Sequence, residues 1–417
     1  MTETRAPIAY LTGQYPKVSH TFIQREVEGL RALGWTIEAC TVRRPAAKDV
    51  VGEAQKAEEA RTFGVIEAAK NPVTMIRAQI RAIARDPKRW GRAVKLALKL
   101  RPPGVKATIW QLFYFLEAAV LAEHLEKKGV RHLHNHFADS SCTVAALTAE
   151  MLGIPYSFTM HGPTEFFAAN WWCLGEKVSR ARFVAAISHF CRSQLMYFAP
   201  RESWDHIRIV HCGVTPALYG PHEETEAPTV VFVGRLDSVK GVPLLIEAFA
   251  RVREEHPRAR LSIIGDGPER AACEARVQAL GMGEVTTFHG YKTSAEVADM
   301  LRRSDMLVLP SFAEGVPVVL MEAMASGIPV VASGVAGVAE LVGNGISGFT
   351  VPPGDVETLA ARISALIADP ELRARMGQAG REKVEAEFDL SRETRWLSEI
   401  FTGALSGTLP EGLRPKD

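Results

Sequence analysis

The chain has 417 residues, which is too long for one ordinary hydrophobic core and predicts two domains of roughly 200 residues each. Its 47% apolar and 23% charged residues are typical of a folded globular protein and exclude a disordered chain. The formal net charge is only +1, although its distribution is uneven. The six cysteines are scattered without a C-x-x-C pair, which excludes a disulfide framework and predicts reduced thiols, as in the cytosol.

The N-terminal stretch, residues 1–16, contains too short an apolar run for a signal peptide, and we expect that run to form a strand. The best candidate for a membrane span, residues 306–332, is interrupted by two prolines and two glutamates. We therefore expect a cytoplasmic protein that does not cross a membrane.

Short β-branched runs alternate with amphipathic helical segments along most of the chain. Thr21–Leu33 illustrates the helices, because its apolar residues fall on one face and Gly34 ends it. Such alternation predicts an α/β fold with parallel sheets and helices on both faces. The predicted strands are Ile8–Thr12, Trp35–Val42, His132–Phe137, Tyr156–Met160, Phe183–Ile187, Ile207–His211, Val230–Val233, Arg260–Ile264, Val285–His289, Met306–Leu309 and Pro329–Ala332.

The polar, proline-containing stretch Thr215–Pro228 is the best linker between two domains. We expect a Rossmann-like domain at 1–215 with a basic helical insertion at about 71–106, and a second Rossmann-like domain at 229–388. A C-terminal helix and tail at 389–417 is expected to cross back to the first domain. Two such domains would face each other across a cleft at the carboxyl ends of their strands, where open α/β sheets bind ligands.

Two glycine-containing loops follow predicted strands of the second domain. In the first, Gly234-Arg235 and Lys240-Gly241 place two cations before a helix that begins near Pro243, an arrangement that suits a diphosphate. A surface turn with solvated charges is the alternative. The second loop, Gly265-Asp266-Gly267-Pro268, would let a base or ribose approach the backbone, but a plain turn explains it about as well.

A third loop carries the strongest signal. Glu314-Gly315-Val316-Pro317 precedes an apolar helix that starts at Val318 and contains Glu322, with Pro317 in the helix's first turn and Gly327 after its end. A glutamate in a buried helix needs partners, and a carboxylate accepts hydrogen bonds from two vicinal sugar hydroxyls. A local arginine or backbone group is the alternative partner.

Together these motifs, G-R-L-x3-K-G, G-D-G-P and E-G-V-P-x3-M-E-A-M-A-S-G-x-P-V-V-A, resemble those of the family-4 retaining glycosyltransferases with the GT-B fold. The resemblance implies that Arg235 and Lys240 bind the donor diphosphate, Glu314 the transferred sugar and Glu322 the ribose. It also implies backbone contacts to the donor from the loop before the helix, and a base bordered by Gly265, Gly267 and Tyr291. The loop residues concerned are Gly315, Val316, Pro317 and Val318.

In the first domain, Gly13 would bring its loop close to a donor phosphate, and Ser19 or Thr21 would cap the next helix. The segment also resembles the P-x-x-S-x-T-F-I signature of exopolysaccharide (colanic-acid-type) members of the family. His161 follows a strand end, and the resemblance implies that it lies beside the donor sugar near the reacting carbon. A lone histidine is otherwise more often structural.

Three histidines, His132, His134 and His136, alternate along one predicted strand and so share a face. Zinc binding is the obvious hypothesis, but the family has a similar H-x-H-F segment without a metal. The sequence also lacks the D-x-D carboxylate pair of metal-dependent sugar transferases. We therefore expect no metal and no other cofactor.

Residues 71–106 hold ten basic residues against one acidic residue, Asp86. With its apolar residues and Trp90, this stretch predicts docking on an anionic membrane surface, whereas nucleic acid is not expected because no binding motif accompanies the charge. A solvated charged face is the alternative. The basic residues are Arg77, Arg81, Arg85, Lys88, Arg89, Arg92, Lys95, Lys99, Arg101 and Lys106.

The sequence thus predicts a metal-independent retaining glycosyltransferase, peripheral on the inner face of the cell membrane. It would move a sugar from a nucleoside diphosphate to a hydroxyl of a saccharide, lipid-linked in our interpretation, during bacterial exopolysaccharide or cell-surface glycan synthesis. Two other classes remain open: a nucleotide-sugar epimerase, and a non-catalytic nucleotide-sugar-binding partner of a glycan assembly complex.

Overall fold

The structure of the protein is a computed structural model that describes residues 5–415. The chain forms two compact units: Met1–His211 with Glu393–Asp417, called the first unit, and Cys212–Arg392, called the second unit. The boundary lies just ahead of the predicted linker.

The first unit is built on a seven-stranded parallel sheet with the order β3-β2-β1-β4-β5-β6-β7. Its central strand β1 pairs with β2 on one side and β4 on the other, so Ile8 lies opposite both Ile37 and His132. Strands β1, β4, β5, β6 and β7 are buried along their whole length, as expected of a parallel sheet with both faces covered. The strands are β1 (Ile8–Thr12), β2 (Ile37–Thr41), β3 (Phe63–Gly64), β4 (His132–His136), β5 (Tyr156–Met160), β6 (Val184–Ala186) and β7 (Ile207–Ile209).

Helices connect these strands, and three of them form an insertion between β3 and β4. Asn71 caps the first insertion helix, and Asp86 caps the next, in each case followed by a proline in the first helical turn. The helices are α1 (Thr21–Ala32), α2 (Glu53–Arg61), α3 (Val65–Ala69), α4 (Pro72–Arg85), α5 (Pro87–Lys99), α6 (Val105–Lys127), α7 (Ser140–Leu152), α8 (Thr164–Phe167), α9 (Leu174–Arg180) and α10 (His189–Phe198).

The second unit is a six-stranded parallel sheet with the order β10-β9-β8-β11-β12-β13. Chain order reverses between β8 and β11, which is the place where doubly wound sheets bind ligands. Its strands are β8 (Thr229–Val233), β9 (Arg260–Ile264), β10 (Thr286–Gly290), β11 (Met306–Leu309), β12 (Val330–Ser333) and β13 (Gly348–Val351). Its helices are α11 (Val242–Glu255), α12 (Arg270–Ala279), α13 (Ser294–Arg302), α14 (Val318–Ala325), α15 (Val338–Leu341), α16 (Val356–Ala368) and α17 (Pro370–Glu387).

The last helix, α18 (Leu390–Ser406), belongs from Glu393 onward to the first unit. Its Trp396, Leu397, Ile400 and Phe401 join the first unit's core beside Tyr10, Trp35 and Phe183. The buried indole N–H of Trp396 has a partner in this core, since it donates to the Ile209 carbonyl over 3.0 Å. The predicted α/β fold with two Rossmann-like sheets is confirmed.

The structure differs from the prediction at three places. Strands β3 and β13 were not predicted: β3 has two residues, and β13 begins at Gly348, whose φ of +154° no ordinary strand residue adopts. Pro317 caps α14 with an extended backbone and does not lie inside its first turn. The predicted linker belongs to the second unit, where Tyr219 is buried.

By length and composition alone, α6 would be able to cross a membrane, although 44% of its most apolar window is buried inside the protein. The buried part is its C-terminal half, where Ala118–Leu125 packs mainly against other helices of the first unit. The most apolar segment of the second unit, residues 306–332, forms β11, α14 and β12 in the core of that unit.

Candidate donor site and the histidine row

The loops that follow β8, β9 and β11 pack directly on one another, and glycine makes that packing possible. A Cβ on Gly265, whose φ is +131°, would lie 1.9 Å from the carbonyl oxygen of Gly234. A Cβ on Gly267 would lie 2.2 Å from the Leu236 oxygen, and one on Gly241 2.2 Å from the Pro310 oxygen. These glycines therefore have a structural role, and they bring the predicted donor residues to one edge of the sheet.

Lys240 and Glu314, predicted from separate motifs, are in direct contact. The Lys240 ammonium donates to Glu314 Oε1 over 2.6 Å, and the Ser311 hydroxyl donates to the same oxygen over 2.6 Å. Glu314 and Ser311 are buried, whereas about a quarter of the Lys240 side chain is exposed. The loop is held in place by the Phe312 amide, which donates to the Val239 carbonyl. The structure thus forms a cation–carboxylate pair at the end of β11.

Arg235 lies on the loop after β8 and extends outward. Half of its side chain is exposed, and its Nε forms an ion pair with Asp237 Oδ2 at 2.8 Å. Asp237 was not among the predicted site residues. It fixes the arginine's direction while leaving most of the guanidinium's five N–H donors for an anion.

Glu322 lies eight residues after Glu314 and is buried within α14. Its Oε1 accepts a hydrogen bond of 2.9 Å from the hydroxyl of Tyr219. Sequence reasoning missed Tyr219 because it lies in the predicted linker, 103 residues away from Glu322. Arg381 of α17 strengthens this arrangement by donating to the carbonyls of both Tyr219 and Ala325, the last residue of α14.

The remaining predicted donor residues lie in the same set of loops. Gly315 accepts a hydrogen bond from the Gly337 amide, and Val316 and Pro317 are buried before α14 begins at Val318. Tyr291 is half-buried and follows Gly290, whose carbonyl accepts from the Gly265 amide over 2.8 Å. The predicted residues of this unit therefore lie in the loops after β8, β9, β10 and β11, except Val318 and Glu322, which belong to α14.

The predicted residues of the first unit lie at the carboxyl ends of its own strands. Gly13 follows β1, and a Cβ there would meet no atom closer than 3.9 Å, so packing does not require glycine. His161 follows β5 and is buried against Phe22 and Phe137, with ring centroids 4.7 and 4.9 Å away. Burial, with His136 and His20 nearby, lowers the pKa of His161 well below its ordinary value.

The three histidines of β4 share one face, as predicted; His132 and His134 hydrogen-bond to residues of β5, and His136 Nδ1 lies 2.7 Å from His161 Nε2. His132 Nε2 and His134 Nδ1 both contact the Ser157 hydroxyl, at 2.6 and 2.7 Å, and His134 Nε2 contacts Thr159 at 2.9 Å. Ligand atoms of Glu26, His134 and His136 lie within 4.8 Å of one another. Because both nitrogens of His134 already have hydroxyl partners, a metal would have to break those hydrogen bonds.

In the basic insertion, the arginines of α4 turn toward α6. Arg77 and Arg81 pair with Glu123, and Arg85 pairs with Glu126. On α5, Arg92 pairs with Glu150, whereas Lys88 is exposed and makes no ion pair among the described residues. The outward face of α4 is apolar, in keeping with the predicted amphipathic stretch: it exposes Val73, Ile76, Ile80 and Ile83. The first half of α6 likewise exposes Val105, Ile109, Trp110, Leu112 and Phe113.

Two family descriptions cover most of the sequence. Residues 20–218 match "Glycosyltransferase Family 4", and residues 220–383 match "Glycosyl transferases group 1". With the GT-B-type pair of sheets and the E-x7-E segment in place, the chain belongs to the family-4 glycosyltransferases.

Among curated relatives, the chain is similar to the putative colanic acid biosynthesis glycosyltransferase WcaL of Escherichia coli, 34% identical over 48% of this chain and 52% of that protein. It is also similar to a glycogen synthase of Mycobacterium tuberculosis, 33% identical over 48% of this chain and 49% of that protein. The chain thus spans about half the length of these curated relatives.

Solved structures agree in fold. A sucrose-phosphate synthase from Thermosynechococcus elongatus superimposes with a TM-score of 0.76 at 21% identity, covering 97% of this chain and all of that chain. HepE of Anabaena, solved in complex with UDP-glucose, superimposes with a TM-score of 0.70 at 16% identity, covering 95% of this chain and 99% of that one.

Proposed function

We propose that the protein transfers a glycosyl group from a nucleoside-diphosphate sugar to a hydroxyl of a saccharide, with retention of anomeric configuration. The observation that carries this proposal is the contact of Lys240 with Glu314 at the ends of the donor strands, eight residues before Glu322. The name of WcaL supports a role in bacterial exopolysaccharide or cell-surface glycan synthesis. The UDP-glucose bound to HepE supports the class of donor.

In this mechanism the protein stabilises the leaving diphosphate. Negative charge grows on the diphosphate as the glycosidic bond breaks, and Arg235 and Lys240 are the cations that balance it. Lys240 has three N–H donors and uses one on Glu314, so phosphate oxygens can take the others. We propose that these two cations replace a metal, and that the departing phosphate assists front-side attack by the acceptor hydroxyl.

The two glutamates have different tasks in this proposal. Glu314 is fixed by Lys240 and Ser311, so it is a rigid acceptor for hydroxyls of the transferred sugar. Glu322 is fixed by Tyr219 and binds the ribose hydroxyls. We assign His161 a part in the same reaction. Neither glutamate is a general acid or base.

A panel of UDP-, GDP- and ADP-sugars tests the proposal, first by thermal shift and then by product analysis. We expect one donor class to raise the melting temperature and to be consumed with a saccharide acceptor. The anomeric coupling constant of the product, measured by NMR, should equal that of the donor linkage. Interconversion of the donor sugar without transfer would indicate an epimerase, and binding without turnover would indicate a silent partner. Either result contradicts the proposal.

We further propose that the enzyme is peripheral on the inner face of the cell membrane, where its acceptor is lipid-linked. The exposed apolar residues of α4 and of the first half of α6 would enter the headgroup region. Lys88, Lys95 and Lys106 are exposed and make no ion pairs among the described residues, so they can meet anionic lipid. Because Arg77, Arg81 and Arg85 are already paired, we assign them a supporting role in holding α4 on α6.

Vesicle sedimentation separates the apolar from the basic contribution. We expect the full chain to bind vesicles containing phosphatidylglycerol, and binding to fall severalfold in the double variant Ile76→Ser, Ile80→Ser. At low salt, the triple variant Lys88→Ala, Lys95→Ala, Lys106→Ala should bind more weakly than the unsubstituted chain. At high salt, where the lysine charges are screened, the variant and the unsubstituted chain should bind equally. Equal sedimentation with and without vesicles in the unsubstituted chain would remove the membrane proposal.

A further inference from the structure

The sheet of the first unit has its own reversal of strand order, between β1 and β4. Ligands of open α/β sheets bind at such a point, outside the carboxyl ends of the strands. Gly13 follows β1 there, and the space beside it is open, because a Cβ would meet only Asp139 Oδ2 within 4 Å, at 3.9 Å. Asp139 follows β4 and caps α7 with Oδ1, whereas its Oδ2 accepts no hydrogen bond from a described residue. The open space therefore has a carboxylate oxygen at its side.

Three further polar side chains lie close to Asp139. Tyr114 and Glu117 are one turn apart on α6, and Arg43 follows β2, where its amide donates to the Gly13 carbonyl over 3.0 Å. Burial raises the pKa of Tyr114, and Glu117 and Asp139 raise it further, whereas Arg43 lowers it. Such mutual effects require neighbouring groups. Arg43, Tyr114, Glu117 and Asp139 thus form one group, called the polar cluster, at the carboxyl ends of β1, β2 and β4.

Glu117 is the member of the polar cluster whose hydrogen bonding is least satisfied. Its Oε2 is buried without a hydrogen-bond partner, and no residue among 5–415 donates to its other oxygen. Burial raises the pKa of Glu117 to about 7, although Arg43 lowers it. Arg43 is exposed, and its guanidinium makes no hydrogen bond or ion pair with a residue in the same range. A ligand that carries hydroxyl groups can satisfy both side chains.

The helix that carries Tyr114 and Glu117 continues into exposed apolar surface. Trp110 lies one turn before Tyr114, and the two rings are stacked, with centroids 6.5 Å apart and planes 24° from parallel. Trp110 is exposed, together with its neighbours Ile109 and Phe113. Residues 110, 114 and 117 are spaced by four and three, so they share one face of α6. This face changes from apolar at Trp110 to polar at Glu117.

We propose that the polar cluster binds the saccharide end of the acceptor and that Trp110 contacts an apolar group attached to that saccharide. Carboxylates accept hydrogen bonds from sugar hydroxyls, a guanidinium donates to them, and an aromatic ring packs on apolar surface. Two carboxylates beside one cation suit a neutral polyhydroxyl group better than a phosphate, which the carboxylates would repel. This inference rests on the proposed transfer to a saccharide hydroxyl and assigns the acceptor to residues of the first unit.

The probes are pairs of octyl and methyl glycosides of glucose, galactose and mannose, used below their micelle concentrations. Saturation-transfer NMR on the full chain at pH 8 measures their binding without a donor. We expect at least one sugar to bind as the octyl glycoside and more weakly as the methyl glycoside. Trp110→Ser should remove that difference. Arg43→Met and Glu117→Leu should each weaken binding of both forms by about tenfold, since each loses a hydrogen bond to a charged group.

Melting temperatures separate a binding role of Glu117 from a structural one. At pH 8 its ionised carboxylate is buried without a donor, so Glu117→Leu should melt at a higher temperature than the unsubstituted chain. A lower melting temperature would indicate a structural role and overturn the assignment. The matched control is Glu150→Leu, because Glu150 is a largely buried carboxylate on α7 that already pairs with Arg92. This control should bind every glycoside as the unsubstituted chain does.

Three outcomes decide between the alternatives. Failure of the unsubstituted chain to bind any of the glycosides, or unchanged affinity in both Arg43→Met and Glu117→Leu, would overturn the inference. Weaker binding of the nucleotide sugar in these two variants, with glycoside binding unchanged, would assign the polar cluster to the donor and overturn it as well. The expected glycoside binding without transfer from any donor of the panel would instead contradict the proposed function and leave the binding site in place.

Discussion

The donor loops of the second unit and the basic insertion of the first unit both contain cations that the sequence made conspicuous, but the structure uses them differently. Lys240 and Arg235 remain at the ends of strands, held by Glu314 and Asp237 from the same set of loops. In the insertion, Arg77, Arg81 and Arg85 are turned toward α6 and its glutamates.

The difference lies in what fixes the backbone. In the donor loops, glycines such as Gly241 and Gly265 can pack against neighbouring carbonyls, so the sequence determines where the charges lie. Arginines along a helix have no such restriction, because the direction of each side chain depends on partners from distant parts of the sequence. Glycine-fixed motifs are therefore better guides to a site than charge density.

The largest expected effect concerns the pair that defines the donor site. Lys240→Ala and Glu314→Ala should each lower kcat/KM by about 10²–10³-fold, since each removes a preorganised charge at the reacting centre. Lys292→Ala is the matched control, because Lys292 makes an exposed pair with Glu296 on α13. Near wild-type kinetics in both site variants would show that the donor loops are no more functional than the insertion.

The glycine argument can be tested directly on stability. Gly265→Ala should destabilise the second unit by about 3 kcal/mol, because its Cβ would overlap the Gly234 carbonyl and the backbone must shift. Gly281 also has a positive φ, +66°, but a Cβ there meets no atom within 4 Å, so Gly281→Ala should cost about 1 kcal/mol. Urea unfolding measures both. Equal costs would contradict the packing role of Gly265.

The first unit should lose stability as the pH falls from 6.5 to 4.5. Burial lowers the pKa of His132 to about 3 and of His20 to about 4, and also lowers those of His134 and His161. The unfolded chain therefore binds four protons that the folded unit does not. Burial raises the pKa of Glu117 and of Glu165 to about 7, so the folded unit binds two protons more there.

The difference of about two protons gives a loss of about 2.7 kcal/mol per pH unit. Urea unfolding of the first unit's signal at several pH values measures this slope. His132→Phe should reduce it by about one proton, and Glu117→Gln should increase it by about one. A flat profile between these pH values would contradict the neutral, buried state of His20, His132, His134 and His161.

The smallest effect concerns a residue that the sequence assigned to a linker. Tyr219→Phe removes the hydrogen bond to Glu322, worth about 1 kcal/mol, and should weaken donor binding by about fivefold with kcat nearly unchanged. Tyr156→Phe serves as the control, because its hydroxyl donates to a backbone carbonyl in the first unit. Calorimetric titration with the donor distinguishes the two variants.

Much of the fold was predictable, since eleven of the strands coincide with the short runs from which strands were predicted, and parallel sheets are buried on both faces. The predicted donor residues of the second unit lie in the loops at the expected strand ends or, like Glu322, in the helix α14 that follows one of them. What could not be predicted are contacts between distant segments: Tyr219 with Glu322, Arg81 with Glu123, and His136 with His161. Periodicity gives the face on which a side chain lies but not the element that packs on that face.

The return of α18 to the first unit has a consequence for biosynthesis. Trp396, Leu397, Ile400 and Phe401 complete a core whose other members, such as Tyr10 and Trp35, are translated at the beginning of the chain. During translation the N-terminal sheet therefore emerges from the ribosome with part of its apolar surface uncovered. All residues of the second unit are synthesised before the segment of α18 that covers this surface. The half of the molecule that is synthesised first is thus the last to complete its folding.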